Sequence, residues 1–411
     1  MKQSGTRKIV NDPVYGFITL SGELLLEITE HRYFQRLRRI SQLGLTHLVY
    51  PGAVHTRFLH ALGSMHLMKQ AIDVLKEKGH HITDQEQEGA LLAILLHDVG
   101  HGPFSHALEK SIITGVSHEE LSALFFEKLN AEYGGRLATA RAIFNGTYPK
   151  KYLHQLVASQ LDVDRLDFLK RDSFFSGVSE GVVGSERIIK MLEVADDELV
   201  VEAKGIYSIE KFIVARRLMY WQVYMHKTVL SAEYLLMNIL KRAKQLLREG
   251  QHIDAPAPLS KFMRHDFGKE DLRDNPSLLE AFAAIDDFDI LSAIKSWCHA
   301  DDNLLRLLSN NLVNRRLYKT EMQNEPFSNT RLANLLQKAQ NKYHLTKQEA
   351  QYLVFSGKAQ NHAYNPVSDN IKIILKSGSV IDITQASEQI NTVGITKIVY
   401  KYFLCYPKNL I

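Results

Sequence analysis

A mainly α-helical fold is predicted by three features of the sequence. Apolar residues recur at helical spacing over most of the chain, as in Leu24, Ile28, Phe34, Leu37 and Ile40, and again in Met65, Leu67, Ile72 and Leu75. Strand-like alternation is confined to the two ends, at residues 8–20 and from Ile371 onward. The segment Gln251 to Pro258, with two prolines in a polar stretch, is the clearest break between helical runs. The expected architecture is a helical core with a short N-terminal β-hairpin and a small C-terminal α/β piece, divided into residues 1–255 and 256–411.

The 411 residues suffice for a large core in two or three domains, and 45% hydrophobic with 23% charged residues suits a globular protein. A net charge of +4 is too small to argue for nucleic acid by itself. Two cysteines, Cys298 and Cys405, give neither a disulfide framework nor a cysteine zinc site, and point to a reducing compartment. The polar stretch Met1 to Lys8 does not read as a signal peptide, and no stretch reads as a membrane span. A cytoplasmic, soluble protein is the expectation.

In chain order, residues 8–20 predict a hairpin turning at Asn11-Asp12-Pro13, and residues 23–43 a helix closed by Gly44. Arg36, Arg38 and Arg39 interrupt that helix with a positive cluster expected to be a solvated face. The next helix carries His60 near its start, with Arg57 one turn earlier on the same face. His60 is either a packed residue or a metal ligand beside a phosphate clamp.

The apolar run Leu91 to Leu96 predicts a buried helix that ends in His97-Asp98, where a core would not place them. An unpaired buried carboxylate costs several kcal/mol, so Asp98 needs a strong partner, and a divalent cation would serve both residues. Gly100, Gly102 and Pro103 then break the helix and bring His101 and His106 close by. Ser117 caps a further helix with His118 in its first turn, and Asp164, Phe168 and Asp172 share one face of another, with Asp167 and Arg171 able to pair on a neighbouring face. Residues 207–248 form a long helical run, helical character returns from 278 to 355, and the end predicts a hairpin at Ser377-Gly378 and a strand from Lys397.

His60, His97, Asp98 and Asp164 make a set of two imidazoles and two carboxylates, suited to one divalent ion such as Fe, Mn, Zn, Ni or Mg. This H…HD…D pattern resembles the HD-domain metal phosphohydrolases, an all-helical superfamily. The runs Phe34-Gln-Arg-Leu-Arg, Gln42-Leu-Gly, Tyr50-Pro-Gly-Ala, Arg57-Phe-x-His60, His97-Asp-Val-Gly-His-Gly-Pro-Phe-Ser-His106 and Asp162-Val-Asp-Arg are similar to those of the dNTP triphosphohydrolases, dGTPase-like enzymes. The nearest likeness is to the branch that joins a SAM domain to the HD domain, a SAM domain that does not precede the motif here. The resemblance covers roughly residues 8–230 well and 300–320 weakly.

The resemblance implies that His60, His97, Asp98 and Asp164 bind the metal. His101, His106 and His118 become the catalytic and phosphate-contacting histidines, with Glu109 where the family has an aspartate. Arg57, Arg165 and Arg216 would hold the triphosphate, Gln42 and Leu43 line the deoxyribose, Asp172 receive the 3′-hydroxyl and Tyr224 pack near the sugar. Phe168 and Met225 depart from the family's tyrosine and glutamine. Lys8, Glu30, Gln35 and Arg38, with Val49, His226, Lys227, Arg315 and Lys319, fall where relatives bind an activating nucleotide between subunits. Ordinary intersubunit ion pairs are the alternative there. The implied function is hydrolysis of deoxynucleoside triphosphates by a homo-oligomer, a dimer or tetramer. The competing readings are an HD phosphohydrolase of monophosphates or another phosphoester, and a nucleic-acid binder gripping phosphates through residues 36–39 and 315–319.

Overall fold

The computed structural model describes residues 7–104, 106–109, 111–113, 115–361, 364–367, 370–388 and 398–410, leaving aside the side chains of His106 and Ala107. The chain opens with β1 (Arg7–Asp12) and β2 (Gly16–Ser21), an antiparallel hairpin running from Arg7↔Ser21 to Asp12↔Gly16. Asp12 makes the turn: its Oδ1 accepts from the Val14 and Tyr15 amides at 2.8 and 2.9 Å, the Asx geometry that suits this residue type.

The single helix expected over 23–43 is broken. His31 adopts an extended conformation between helices Glu23–Glu30 and Arg32–Gln35, and its Nδ1 caps the second by accepting from the Tyr33 amide. A 3₁₀ turn, Arg36–Arg39, follows. Gly44 does not close a helix but opens another 3₁₀ turn, Gly44–Leu48, with φ of 50° that favours glycine.

The core is built around helix Arg57–Glu77, which packs against helices Asp84–Leu96 and Val163–Ser176. Leu91 to Leu96 are all buried, as the apolar run predicts. Thr83 with Glu86, and Ser117 with Glu120, form capping boxes that fix the starts of helices Asp84–Leu96 and His118–Glu132. The long run over 207–248 is interrupted: helix Ile206–Met219 passes into a π-helical turn, Tyr220–Tyr224, before helix Lys227–Arg248. Such turns are frequent at functional sites, and this one carries Tyr224.

Strands outside the expected ends complete the fold. β3 (Leu192–Ala195) and β4 (Glu198–Glu202) form a hairpin whose turn residues Asp196 and Asp197 both have positive φ. β5 (Lys319–Gln323) lies within the C-terminal region that the pattern assigns to helices, and β6 (Phe355–Asn361) starts where that region ends. β7 (Lys372–Ile374) and β8 (Val380–Asp382) form the expected hairpin at Ser377-Gly378, and β9 (Val399–Tyr406) is the last strand. The sheets run β3-β4-β7-β8 and β5-β9-β6, with β7 parallel to β4, so the C-terminal segment shares a sheet with the core. Among the described residues no helix is long and apolar enough to cross a membrane.

Candidate active site

Three elements converge on one point. Helix Arg57–Glu77 brings His60 in its first turn, the end of helix Asp84–Leu96 brings His97 and Asp98, and the first turn of helix Val163–Ser176 brings Asp164. Asp164 Oδ1 lies 3.0 Å from His60 Nε2 and 3.5 Å from His97 Nε2. One ligand atom from each of these three residues lies within 4.8 Å of the others. Asp98 sits beside them, 3.3 Å from His97 Nε2 and 3.7 Å from His60 Nε2, with Oδ2 also held by Arg57.

The residues fit a divalent metal. His60 Nε2 and His97 Nε2 are buried without a well-formed hydrogen bond, an expensive state unless a ligand takes their lone pairs. Burial disfavours charge on Asp164, yet His60 and His97 outweigh it and hold the carboxyl well below its usual range. Burial likewise works against a charged His60, but Asp164 and Asp167 outweigh it and push the imidazole up to about 10. The cluster therefore draws in positive charge, and two imidazoles with carboxylates are the donors of a borderline divalent ion.

A second group adjoins the first through Asp98. His101 Nε2 is 3.3 Å from Asp98 Oδ1, and its ring stacks on His118 with centroids 3.8 Å apart. His118 Nδ1 pairs with Glu109 at 3.1 Å, and its Nε2 lies 3.2 Å from Glu119. Burial and the Arg57 charge hold His101 down to about 3, so it stays neutral. The side chain of His106 lies outside the described residues.

Two arginines gather beside Asp164. Arg165 donates to the Ser159 carbonyl at 2.7 Å and pairs with Asp162, the N-cap of the Asp164 helix. Arg216 donates to the carbonyl of Gln160 in the same turn. On the other side, Asp172 accepts from Tyr224 Oη at 2.7 Å and lies 2.8 Å from His55 Nε2, while Phe168 meets Tyr224 edge to face. The Gln42 backbone amide donates to the His55 carbonyl, and its side-chain oxygen is buried with no hydrogen-bond partner among the described residues. Leu43 packs at the edge of the core.

The residues expected at a regulatory site fall into two groups. Lys8 pairs with Glu30, Gln35 binds the Thr29 carbonyl and accepts from Arg38, and Arg38 lies over Phe58. Separately, Arg315 donates to the Leu48 carbonyl beside Val49, His226 caps helix Lys227–Arg248 and touches Tyr50, and Lys319 lies 3.9 Å from Glu321.

The arginine cluster is a solvated face at Arg38 and Arg39, which are exposed, but not at Arg36. Arg36 is 1% exposed and donates to the carbonyls of Val99, His101, Ala283 and Ile285; Arg39 pairs with Asp286. Arg36 thus ties the loop bearing His101 to the C-terminal region. Asp287 adds to this, accepting from the amides of Ser41 and Phe104. His55, Asp287 and the Arg36 clamp escape a reading of the sequence because their partners lie from 63 to 249 positions away. The Phe-Gln-Arg-Leu-Arg run was the available signal for Arg36.

Fold and site together define a metal-dependent hydrolase built on helices. Residues 57–172 match the HD domain and residues 183–267 the HD associated region. The crystal structure of a phosphohydrolase from Bacteroides thetaiotaomicron superposes with a TM-score of 0.95 at 49% identity, covering 98% of this chain and 100% of that one. Protein YwfO of Bacillus subtilis is 34% identical over 319 residues, 76% of this chain and 71% of its own. The deoxynucleoside triphosphate triphosphohydrolase SAMHD1 homolog of Dictyostelium discoideum is 31% identical over 268 residues, 61% of this chain and 52% of its length. The chain belongs to the HD-domain phosphohydrolases.

Proposed function

We propose that this protein hydrolyses deoxynucleoside triphosphates to deoxynucleoside and inorganic triphosphate. The observation that carries the proposal is the pair Arg165 and Arg216, both reaching the 159–162 turn next to Asp164. Burial and the Arg165 charge bring Arg216 down to about 10. Two half-buried cations brought together are stabilised by a polyanion, and a triphosphate supplies more negative charge there than a monophosphate.

Residues of the chain divide the chemistry as follows. Arg57, Arg165 and Arg216 neutralise the phosphate chain, and Asp172, oriented by Tyr224 and His55, accepts the sugar hydroxyl. A bound divalent ion, held by His60, His97, Asp98 and Asp164, supplies Lewis-acid polarisation at a phosphoryl oxygen. Water adds to the α-phosphorus as its bond to the 5′-oxygen breaks. His118, backed by Glu109, delivers a proton to that leaving oxygen, with His101 alongside the phosphates. Gln42 and Leu43 border the sugar. We assign Lys8, Glu30, Gln35 and Arg38, with Val49, His226, Lys227, Arg315 and Lys319, to an activating-nucleotide site in a homo-oligomer.

The test is an endpoint assay with the four dNTPs and their ribonucleotide counterparts in Fe, Mn or Mg, with and without a second nucleotide. Deoxynucleoside plus intact triphosphate, abolished by Asp98→Ala or Asp164→Ala, supports the proposal. Cleavage of monophosphates with triphosphates untouched moves the protein to the nucleotidase reading. Unchanged rate and sedimentation profile on adding nucleotide would remove the activator.

A further inference from the structure

Of the six residues of β1, Asp12 alone is buried, at 2% exposure. A strand that contributes a carboxylate rather than an apolar side chain to the interior needs a partner for it. That partner is Arg171, whose Nη1 donates to Asp12 Oδ2 at 2.8 Å. Arg171 turns its other two nitrogens on Asp167, Nε donating to Oδ2 at 2.9 Å and Nη2 to Oδ1 at 3.0 Å. Asp167 Oδ2 in turn lies 2.8 Å from His60 Nδ1. Arg171 and Asp167 are fully buried and His60 is 1% exposed, so the chain is closed off from bulk solvent. The packing makes room for it: a Cβ on Gly63, one turn beyond His60, would fall 2.0 Å from Asp167 Oδ1 and 2.2 Å from Arg171 Nη2.

We propose that the N-terminal hairpin is a working part of the metal site, with Asp12 a positioning residue for His60 through Arg171 and Asp167. This rests on the assignment of His60 as a ligand. Asp167 accepting from Nδ1–H keeps one proton there, so that exchange of the Nε2 proton for a metal ion would expose a lone pair facing Asp164 and His97, the arrangement in which a carboxylate makes an imidazole a better donor. Arg171 alone would cancel the charge of Asp167 and weaken that effect. Asp12 restores one negative charge to the relay, so Asp167 stays a strong acceptor while Arg171 holds both its oxygens in place.

The two oxygens of Asp12 separate this role from a structural one. Oδ1 makes the turn and Oδ2 meets Arg171. Asp12→Asn keeps a turn-making oxygen but removes the charge. The control is Ile18→Val, which trims a fully buried hairpin side chain that is not in the relay.

Binding of Mn²⁺ would be measured on the full chain from the electron paramagnetic resonance of the free ion, and of Zn²⁺ by chelator competition. Asp12→Asn should weaken binding about 3- to 30-fold, the range for substitutions along a coupled network. Asp167→Asn should lose about 10- to 100-fold, and Ile18→Val should bind as the wild type does. Should Asp12→Asn not fold, Arg171→Lys, which keeps the charge but not the fork, should show the same loss. Wild-type affinity in Asp12→Asn, or an equal loss in Ile18→Val, overturns the proposal. A wild-type protein that binds neither ion, no better than Asp164→Ala, overturns the metal assignment itself and the relay with it.

Discussion

Gly100 separates the two halves of the site, and its substitution has a magnitude that follows from the geometry. Its amide donates to Ser122 Oγ, which donates in turn to the His97 carbonyl, so the loop after the His-Asp pair lies directly on helix His118–Glu132. A Cβ at Gly100 would stand 2.3 Å from the His118 carbonyl oxygen and 2.3 Å from the Ser122 nitrogen. Both are backbone atoms and cannot rotate away. Opening the contact to 3.0 Å, the least that a real Cβ tolerates, needs a shift of 0.7 Å. The stacked rings of His101 and His118, 3.8 Å apart, sit on the two sides of this gap and must part with it. Gly100→Ala should destabilise the protein by about 1–3 kcal/mol, the cost of an overpacked core. A misplacement approaching 1 Å should lower phosphohydrolase turnover by about 10²-fold. Denaturant unfolding followed by circular dichroism, with turnover at saturating metal, measures both. Full activity with an unchanged unfolding midpoint would refute the claim that the loop and the helix backbone are in contact.

Gly63→Ala distinguishes packing from propensity by sign. In a helix interior alanine is favoured over glycine by about 1 kcal/mol, but parting the Asp167–Arg171 pair costs about 3–5 kcal/mol, so a net loss of about 2–4 kcal/mol is expected in denaturant unfolding. A gain in stability would show that the pair yields freely. Arg36→Lys leaves carbonyls of Val99, His101, Ala283 and Ile285 short of donors and should cost about 3 kcal/mol or more by the same measurement. Asp302 caps helix Asn303–Val313 and pairs with Arg242 at 2.6 Å. Burial works to raise its carboxyl, but the Arg242 hydrogen bond and the cap outweigh it and lower it below the ordinary 3.8. A depressed carboxylate stabilises the fold above its unfolded pKa and loses that contribution as pH falls through the folded one. The stability lost in Asp302→Asn should therefore be present at pH 7 and shrink below pH 3.8 in urea titrations.

What the sequence discloses is what is local. The hairpin turn at Asp12, the capped helix starting at His118, and the apolar run ending in His97-Asp98 each follow from spacing and residue chemistry within a dozen positions. The association of His60, His97 and Asp164 came from a motif rather than from periodicity, since these residues lie far apart in the chain. Arg36 reads as solvated in the sequence for a physical reason. A cation among polar neighbours looks solvated, and only the return of residues 283–285 supplies the carbonyls that bury it. The break at His31 is equally hidden, because the apolar spacing continues across it. β3 and β4 are short and turn at Asp196-Asp197 rather than at the glycine-containing pairs that announce a hairpin. β5 and β6 draw their pairing from β9, up to 87 positions distant in the case of Lys319 and Tyr406.

The central claim is the bond that breaks, and isotope labelling reads it directly. The metal-loaded protein would be incubated with a dNTP in H₂¹⁸O and the products weighed by mass spectrometry. Attack at the α-phosphorus with release of the 5′-oxygen predicts one ¹⁸O in the triphosphate and none in the deoxynucleoside. Label in a nucleoside monophosphate released with pyrophosphate, or in free orthophosphate, would contradict the account.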